Sequence, residues 1–141
     1  MGGAGMIPVV WSGVEVDRLE GALRGLRLGV APMWAAGRLP PKLDDPTIRQ
    51  AVSALEELLI SAVEQWSRAY RAGTRTFTLR VSIPAATASA VVSLARQVCE
   101  LMVQPETMAA VGLEAVSPQD AEYALGLLEQ VERLIIPRDQ G

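Results

Sequence analysis

The sequence contains no histidine and only one cysteine among its 141 residues. Without histidine, the chain has no ready general base near neutral pH and no imidazole to bind a metal. The single thiol, Cys99, allows neither an internal disulfide nor a thiolate metal site, and it favours a reducing compartment. No glycine pattern of a phosphate-binding loop occurs. We therefore expect a protein that is not an enzyme, with no cofactor, no metal and no small-molecule substrate.

Charge and long apolar runs are also scarce. Charged residues make up 21% of the chain, and the net charge of −3 gives no general attraction to nucleic acid or anionic membranes. The most apolar window, residues 85–103, is interrupted by Arg96 and Glu100, which a membrane-spanning helix would tolerate poorly. The N-terminus lacks the basic start and apolar run of a signal peptide. The sequence predicts a cytoplasmic protein without a membrane partner.

Apolar residues recur at helical spacing through most of the chain. Local start signals support this pattern: Ser12 and Glu15 fit a capping box, and Asp45 precedes a proline that suits the first position of a helix. We expect four substantial helices, over residues 13–28, 46–72, 84–103 and 118–135. The predicted fold is mainly α, a compact bundle of about four helices with a minor β element.

The remaining segments set the expected domain boundaries. Residues 29–46 contain four prolines and are predicted to form a long connection between two helices. A single helical domain then covers residues 7–137. We expect residues 1–6 to be disordered or derived from cloning, and residues 138–141 to form a tail.

One segment, TRTFTLRVSIP at residues 74–84, alternates strictly between polar and apolar side chains. This period is typical of a half-buried β-strand and predicts a strand at 75–83. A strand needs partners for its backbone N–H and C=O groups. Two partners fit: the apolar run at residues 7–11 of the same chain, or the same strand of a second copy. The sequence alone does not choose between them.

The unpaired strand and the 50% hydrophobic content favour a non-catalytic helical module that self-associates or docks into a larger protein complex. We therefore expect a homo-oligomer, other protein subunits as partners, or both. Met33 and Trp34 lie in the predicted connection, where they either hold it to the core or bind a partner, since tryptophan is favoured at binding hot spots. The candidate interface residues are Met33, Trp34, Ile60, Phe77, Leu79 and Val81.

A cluster of arginines supports an alternative function. No acidic residue occurs between Gln65 and Cys99, whereas several arginines flank and enter the strand. The stretch TFTLRVSIPAATASAVVSLAR resembles the start of ribbon-helix-helix DNA-binding proteins, in which an alternating strand ending in proline leads into a helix. The resemblance implies a DNA-binding regulator in which two copies pair their strands into a ribbon that reads the major groove. The implied nucleic-acid contacts are Arg71, Arg75, Thr76, Thr78 and Arg80.

Overall fold

The computed structural model describes residues 5–37 and 45–140. Its elements are, in chain order, β1 (Met6–Glu15), α1 (Val16–Ala35), α2 (Asp45–Arg71), β2 (Thr76–Pro84), a 3₁₀ turn (Ala85–Thr87), α3 (Ala88–Leu101), α4 (Pro105–Ala110) and α5 (Pro118–Gln140). The predicted fold class, mainly α with a minor β element, is confirmed. Both α2 and β2 lie within one residue of their predicted positions, because each has a clear local period.

The two strands form a two-stranded antiparallel sheet. Val9 lies opposite Val81, so β2 pairs with the apolar run at residues 7–11 of its own chain. Of the two partners that the sequence allowed, the structure contains the one within the chain. Alternate residues of both strands are buried against the helices, and the residues between them face outward.

A bulge at Gly13 lets β1 continue well past the apolar run at residues 7–11. Gly13 has a φ of 64°, a left-handed conformation that glycine adopts without steric cost, and the register of the sheet shifts at this point. Beyond the bulge Val14 enters the core at 1% exposure. The predicted capping box at Ser12 and Glu15 is therefore wrong: both residues belong to β1, and α1 begins only at Val16.

Helix α1 extends beyond its predicted end at residue 28, passes through Pro32 and ends at Ala35. Pro32 removes one backbone donor, but Val30 and Met33 are fully buried, and their packing offsets the lost hydrogen bond. The predicted connection therefore begins only after α1, and its residues 38–44 lie outside the described part of the chain. Met33 is a core residue of a helix rather than a loop residue.

A close approach to Gly25 explains a glycine in the middle of α1. A Cβ added there would lie 2.5 Å from Cγ2 of Val116 and 2.9 Å from Sδ of Met102. Those distances are too short for any side chain without a shift of the neighbours. Glycine weakens the helix by about 1 kcal/mol relative to alanine, and the close packing offsets this cost.

Near both ends of the described chain, regular secondary structure extends into segments that the sequence predicted to be disordered or a tail. Met6 is the first residue of β1, and the carbonyl of Gly5 accepts a hydrogen bond from the N–H of Ala85 at 3.0 Å. At the other end, α5 runs through Pro137 to Gln140, so most of the predicted tail is helical. Residues 1–4 and 141 lie outside the described residues.

Candidate interaction surface

The inner face of the sheet is part of the core. Leu79 and Val81 are only 3% and 7% exposed, and Phe77 is half-buried. These three candidate interface residues therefore contact the helices of their own chain, as Met33 does in α1. The inner face reaches another chain only if the fold opens.

The outer face of the sheet is exposed and of mixed polarity. On β1, the apolar side chains of Met6 and Val10 are 55% and 46% exposed, and Pro8 lies between them. On β2, the exposed side chains are polar, with Arg80 directly opposite Val10. Large apolar side chains that are exposed close together are typical of a protein-binding surface.

At Arg80, the outer edge of β2 is bonded to a side chain of α2. The N–H of Arg80 donates to Oε1 of Gln65 at 2.9 Å, and Nε2 of Gln65 donates to the carbonyl of Arg80 at 2.6 Å. One amide side chain therefore satisfies both backbone groups of a strand residue, as a neighbouring strand would. Ser61 Oγ accepts a further hydrogen bond from Nε2 at 3.2 Å and fixes the orientation of Gln65.

At alternate residues of β1, the backbone N–H and C=O groups point away from β2, toward the opposite edge of the sheet. In an antiparallel pair these groups point alternately toward and away from the partner strand. The backbone N–H and C=O groups of Arg80 point away from β1, so those of Val10, the residue opposite, point away from β2. The hydrogen bond from the N–H of Ala85 to the carbonyl of Gly5 joins the two chain segments, as this alternation requires. Pro8 shares the outward direction of Val10, and there its missing N–H costs no bond between the strands.

Among the described residues, a side chain bonds to this β1 edge only at its C-terminal end. The N–H of Glu15 donates to the hydroxyl of Tyr123 in α5 at 2.9 Å. Within the described part of the chain, no hydrogen-bond partner meets the outward backbone groups of Met6 and Val10. We call the stretch from Met6 to Val10 the open edge.

A groove runs along the outer face of the sheet on the side of β2, the side opposite the open edge. It has a volume of about 430 Å³ and lies between the outer face of the sheet and the flank of α2. Its lining residues include Met6, Val10 and Arg80 from the sheet, and Glu57 and Leu58 from the helix. The outer face of the sheet therefore carries exposed apolar side chains from β1 and, toward α2, one charge of each sign.

The residues of the alternative, DNA-binding hypothesis are all exposed. Thr76, Thr78 and Arg80 lie on β2, Arg71 is the last residue of α2, and Arg75 lies in the turn between the two elements. The strand that carries three of them is paired with β1 of the same chain. An intermolecular ribbon through β2 would have to form at the edge where Gln65 bonds to Arg80.

The last two candidate interface residues lie on a different surface. Trp34 in α1 is 39% exposed, and Ile60 in α2 is 52% exposed. Ile60 lines a groove together with Leu28 of α1, which is 46% exposed. The sequence pattern singled out Ile60, whereas Leu28 was only the predicted end of the first helix and was not singled out.

The thiol of the single cysteine is expected to be unreactive at neutral pH. Cys99 is buried in α3, and burial raises the pKa of its thiol from 9.0 to about 12, an effect that Arg96 partly opposes and Glu100 adds to. A thiol that stays protonated at neutral pH is a poor nucleophile. Among the described residues, no group of three or more cysteine, aspartate or glutamate side chains could hold a metal ion.

The raised pKa of Cys99 predicts how stability depends on pH. The unfolded chain ionises its thiol above about pH 9, whereas the folded chain keeps the proton until about pH 12. The thiol therefore contributes its full stability below pH 9 and loses it as the pH rises toward 12. We expect the difference in unfolding free energy between the wild type and Cys99→Ala to narrow across this window. A difference in unfolding free energy that stays the same from below pH 9 to about pH 12 would contradict the burial of the thiol.

Comparisons with known proteins find nothing similar to this chain. No protein-family model matches it, and neither a curated protein nor a solved structure does. Among the described helices, none combines the length and the apolarity needed to cross a membrane.

Proposed function

We propose that the protein is a non-catalytic interaction module that docks an extended segment of another protein against the open edge of β1, within a larger assembly. The observation that carries this proposal is the difference between two residues that lie opposite each other at the two edges of the sheet, Arg80 on β2 and Val10 on β1. Gln65 satisfies the backbone of β2 at Arg80, whereas the outward groups of Met6 and Val10 meet no partner in the described chain. Natural proteins usually protect such an edge, so an open one with apolar side chains suits the addition of a strand.

The chemistry of the open edge defines the segment that fits it. Main-chain hydrogen bonds to the outward groups of Met6 and Val10 supply affinity, while Pro8 can only accept a bond. The incoming strand must therefore donate an N–H opposite Pro8 and needs no acceptor there. Apolar side chains at alternate positions of the partner would pack beside Met6 and Val10. A cytoplasmic location stays a prediction, based on the single cysteine.

A selection from short random peptides, displayed on phage and tested against Val10→Pro, examines this proposal. Proline at this position removes an N–H that points away from β2, so the sheet should keep its internal ladder. We expect peptides with alternating apolar residues that bind the wild type and bind Val10→Pro about ten-fold or more weakly. Circular dichroism and thermal unfolding of Val10→Pro check that the variant is folded. Peptides that bind both proteins equally, or no selected peptide at all, would count against strand docking.

A gel shift with duplex DNA separates protein binding from DNA binding. For an interaction module, a gel shift with random duplex DNA at about 150 mM salt should show negligible binding. Tight, salt-sensitive binding that weakens in Arg80→Ala would instead support the DNA-binding alternative, because an exposed arginine that neutralises a phosphate contributes through counterion release. Arg80→Ala should leave stability within about 0.5 kcal/mol of the wild type in either case, since the side chain is exposed.

A further inference from the structure

A second exposed apolar surface lies between α1 and α2. At one end of this helix pair, Nε1 of Trp66 in α2 donates to the carbonyl of Val16, the first residue of α1, at 2.8 Å. Further along, Leu28 of α1 and Ile60 of α2 line one groove, with exposures of 46% and 52%. These two contacts show that the helices run antiparallel. We call the surface around Leu28 and Ile60 the helical groove.

The two sides of the helical groove carry opposite charges. Arg27 is exposed on α1, one residue before Leu28, whereas Arg24, one turn before Leu28, pairs with Glu20 of the same helix at 3.6 Å. Glu56 and Glu64 are exposed on α2, one turn to either side of Ile60. Arg27 and Glu56 line the groove itself. An apolar centre is therefore flanked by the cation of Arg27 on one helix and by the carboxylate of Glu56 on the other.

This charge pattern is complementary to itself. A two-fold axis that lies in the interface and runs parallel to the helices would place α1 of one copy against α2 of the other. Arg27 would then meet Glu56 of the second copy, and Glu56 would meet the second Arg27. An axis perpendicular to the helices would instead oppose like charges, which costs binding energy. The charges thus select one symmetric arrangement, in which residue pairs repeat on both sides of the axis.

We propose that the helical groove binds a second copy of this chain, forming a four-helix dimer interface with Leu28 and Ile60 at its centre. Trp34 lies two helical turns beyond Arg27 on the same side of α1, and its 39% exposed indole would extend the apolar contact. The proposal does not rest on strand docking at β1. The open edge and the helical groove share no residue, so either proposal can fail while the other holds.

Sedimentation of two charge-reversed variants tests the dimer. The wild type should be a dimer at micromolar concentration. In a dimer of Arg27→Glu, the new carboxylate would meet Glu56 of the second copy. In a dimer of Glu56→Arg, the new guanidinium would meet Arg27 of the second copy. Each variant alone should therefore dimerise about ten-fold or more weakly. An equimolar mixture restores both opposite-charge pairs across the interface and should dimerise again. A monomeric wild type, single variants that remain dimeric, or a mixture that stays monomeric would overturn the proposal.

Two variants at exposed apolar positions test the apolar centre. Ile60→Asp should make the chain monomeric, because a charge would enter the middle of the interface. Leu134→Asp is the matched control, since Leu134 in α5 is 43% exposed and lies outside the helical groove. It should leave the dimer unchanged. Both variants should keep the wild-type circular dichroism spectrum, and a dimeric Ile60→Asp protein would contradict the assignment of this surface.

Discussion

Replacing Leu79 with aspartate is expected to unfold the protein rather than to release it from a partner. Leu79 is 3% exposed and belongs to the hydrophobic core beneath the sheet. The substitution removes a buried apolar side chain and leaves a carboxylate without a buried partner, and together these effects should cost more than about 4 kcal/mol. A loss of that size approaches the whole stability of an ordinary domain, roughly 5 to 15 kcal/mol. Urea denaturation and near-ultraviolet circular dichroism measure it.

The neighbouring residue on the same strand provides the control. Thr78 faces outward and is exposed, so Thr78→Asp places the same carboxylate in water and should cost less than about 1 kcal/mol. The contrast between Leu79→Asp and Thr78→Asp reports which face of β2 is buried within the chain. A folded Leu79→Asp protein that had lost only self-association would mean that β2 contributes its apolar face to another chain.

Truncating Trp11 to alanine should produce the second large loss of stability. Trp11 is 5% exposed, packs in the core and donates from Nε1 to the carbonyl of Leu127 at 3.0 Å, which connects β1 to α5. Removing a buried tryptophan side chain typically costs about 3 to 5 kcal/mol, because the cavity that it leaves does not close completely. The measurement is the midpoint of urea unfolding, with the slope of the transition as a check on two-state behaviour.

Two further tryptophan substitutions serve as comparisons. One separates the hydrogen bond of Trp11 from its apolar contact, and the other is a control at an exposed tryptophan. Trp11→Phe keeps most of the apolar contact but removes the N–H, so it should lose about 1 to 3 kcal/mol less than Trp11→Ala. Trp34→Ala removes a 39% exposed indole from the surface and should change the free energy of unfolding by less than about 1 kcal/mol. An equal loss in Trp11→Ala and Trp34→Ala would contradict the placement of Trp11 in the core.

Local periodicity explains what the sequence predicted correctly. The helix at α2 and the strand at β2 have unbroken periods of 3.6 and 2, and both were located within one residue. The extent of β1 could not be found in this way, because its last residues are strand only through pairing with β2 across the bulge at Gly13. The continuation of α1 through Pro32 was also missed, since it depends on the burial of Met33 against other elements. Contacts between distant segments decide these cases.

The candidate surface was predictable in part. Alternation showed that Leu79 and Val81 share one side of a strand, but not that helices of the same chain cover that side. Pro8 within an apolar, β-prone run was an available signal of an edge strand, because proline is confined to positions that donate no bond between strands. Nothing in the sequence shows that Gln65 bonds to the backbone of Arg80, 15 residues away, at the other edge of the sheet.

Amide hydrogen exchange at Val10 tests the open edge most directly. The N–H of Arg80 is bonded to Gln65, and that of Val81 points into the ladder, so both should be protected in the free protein. The N–H of Val10 points away from β2 and should exchange rapidly until a selected peptide is added, when it should become as protected as Val81. Protection of Val10 in the free protein, or rapid exchange that persists with the peptide bound, would contradict strand docking at β1.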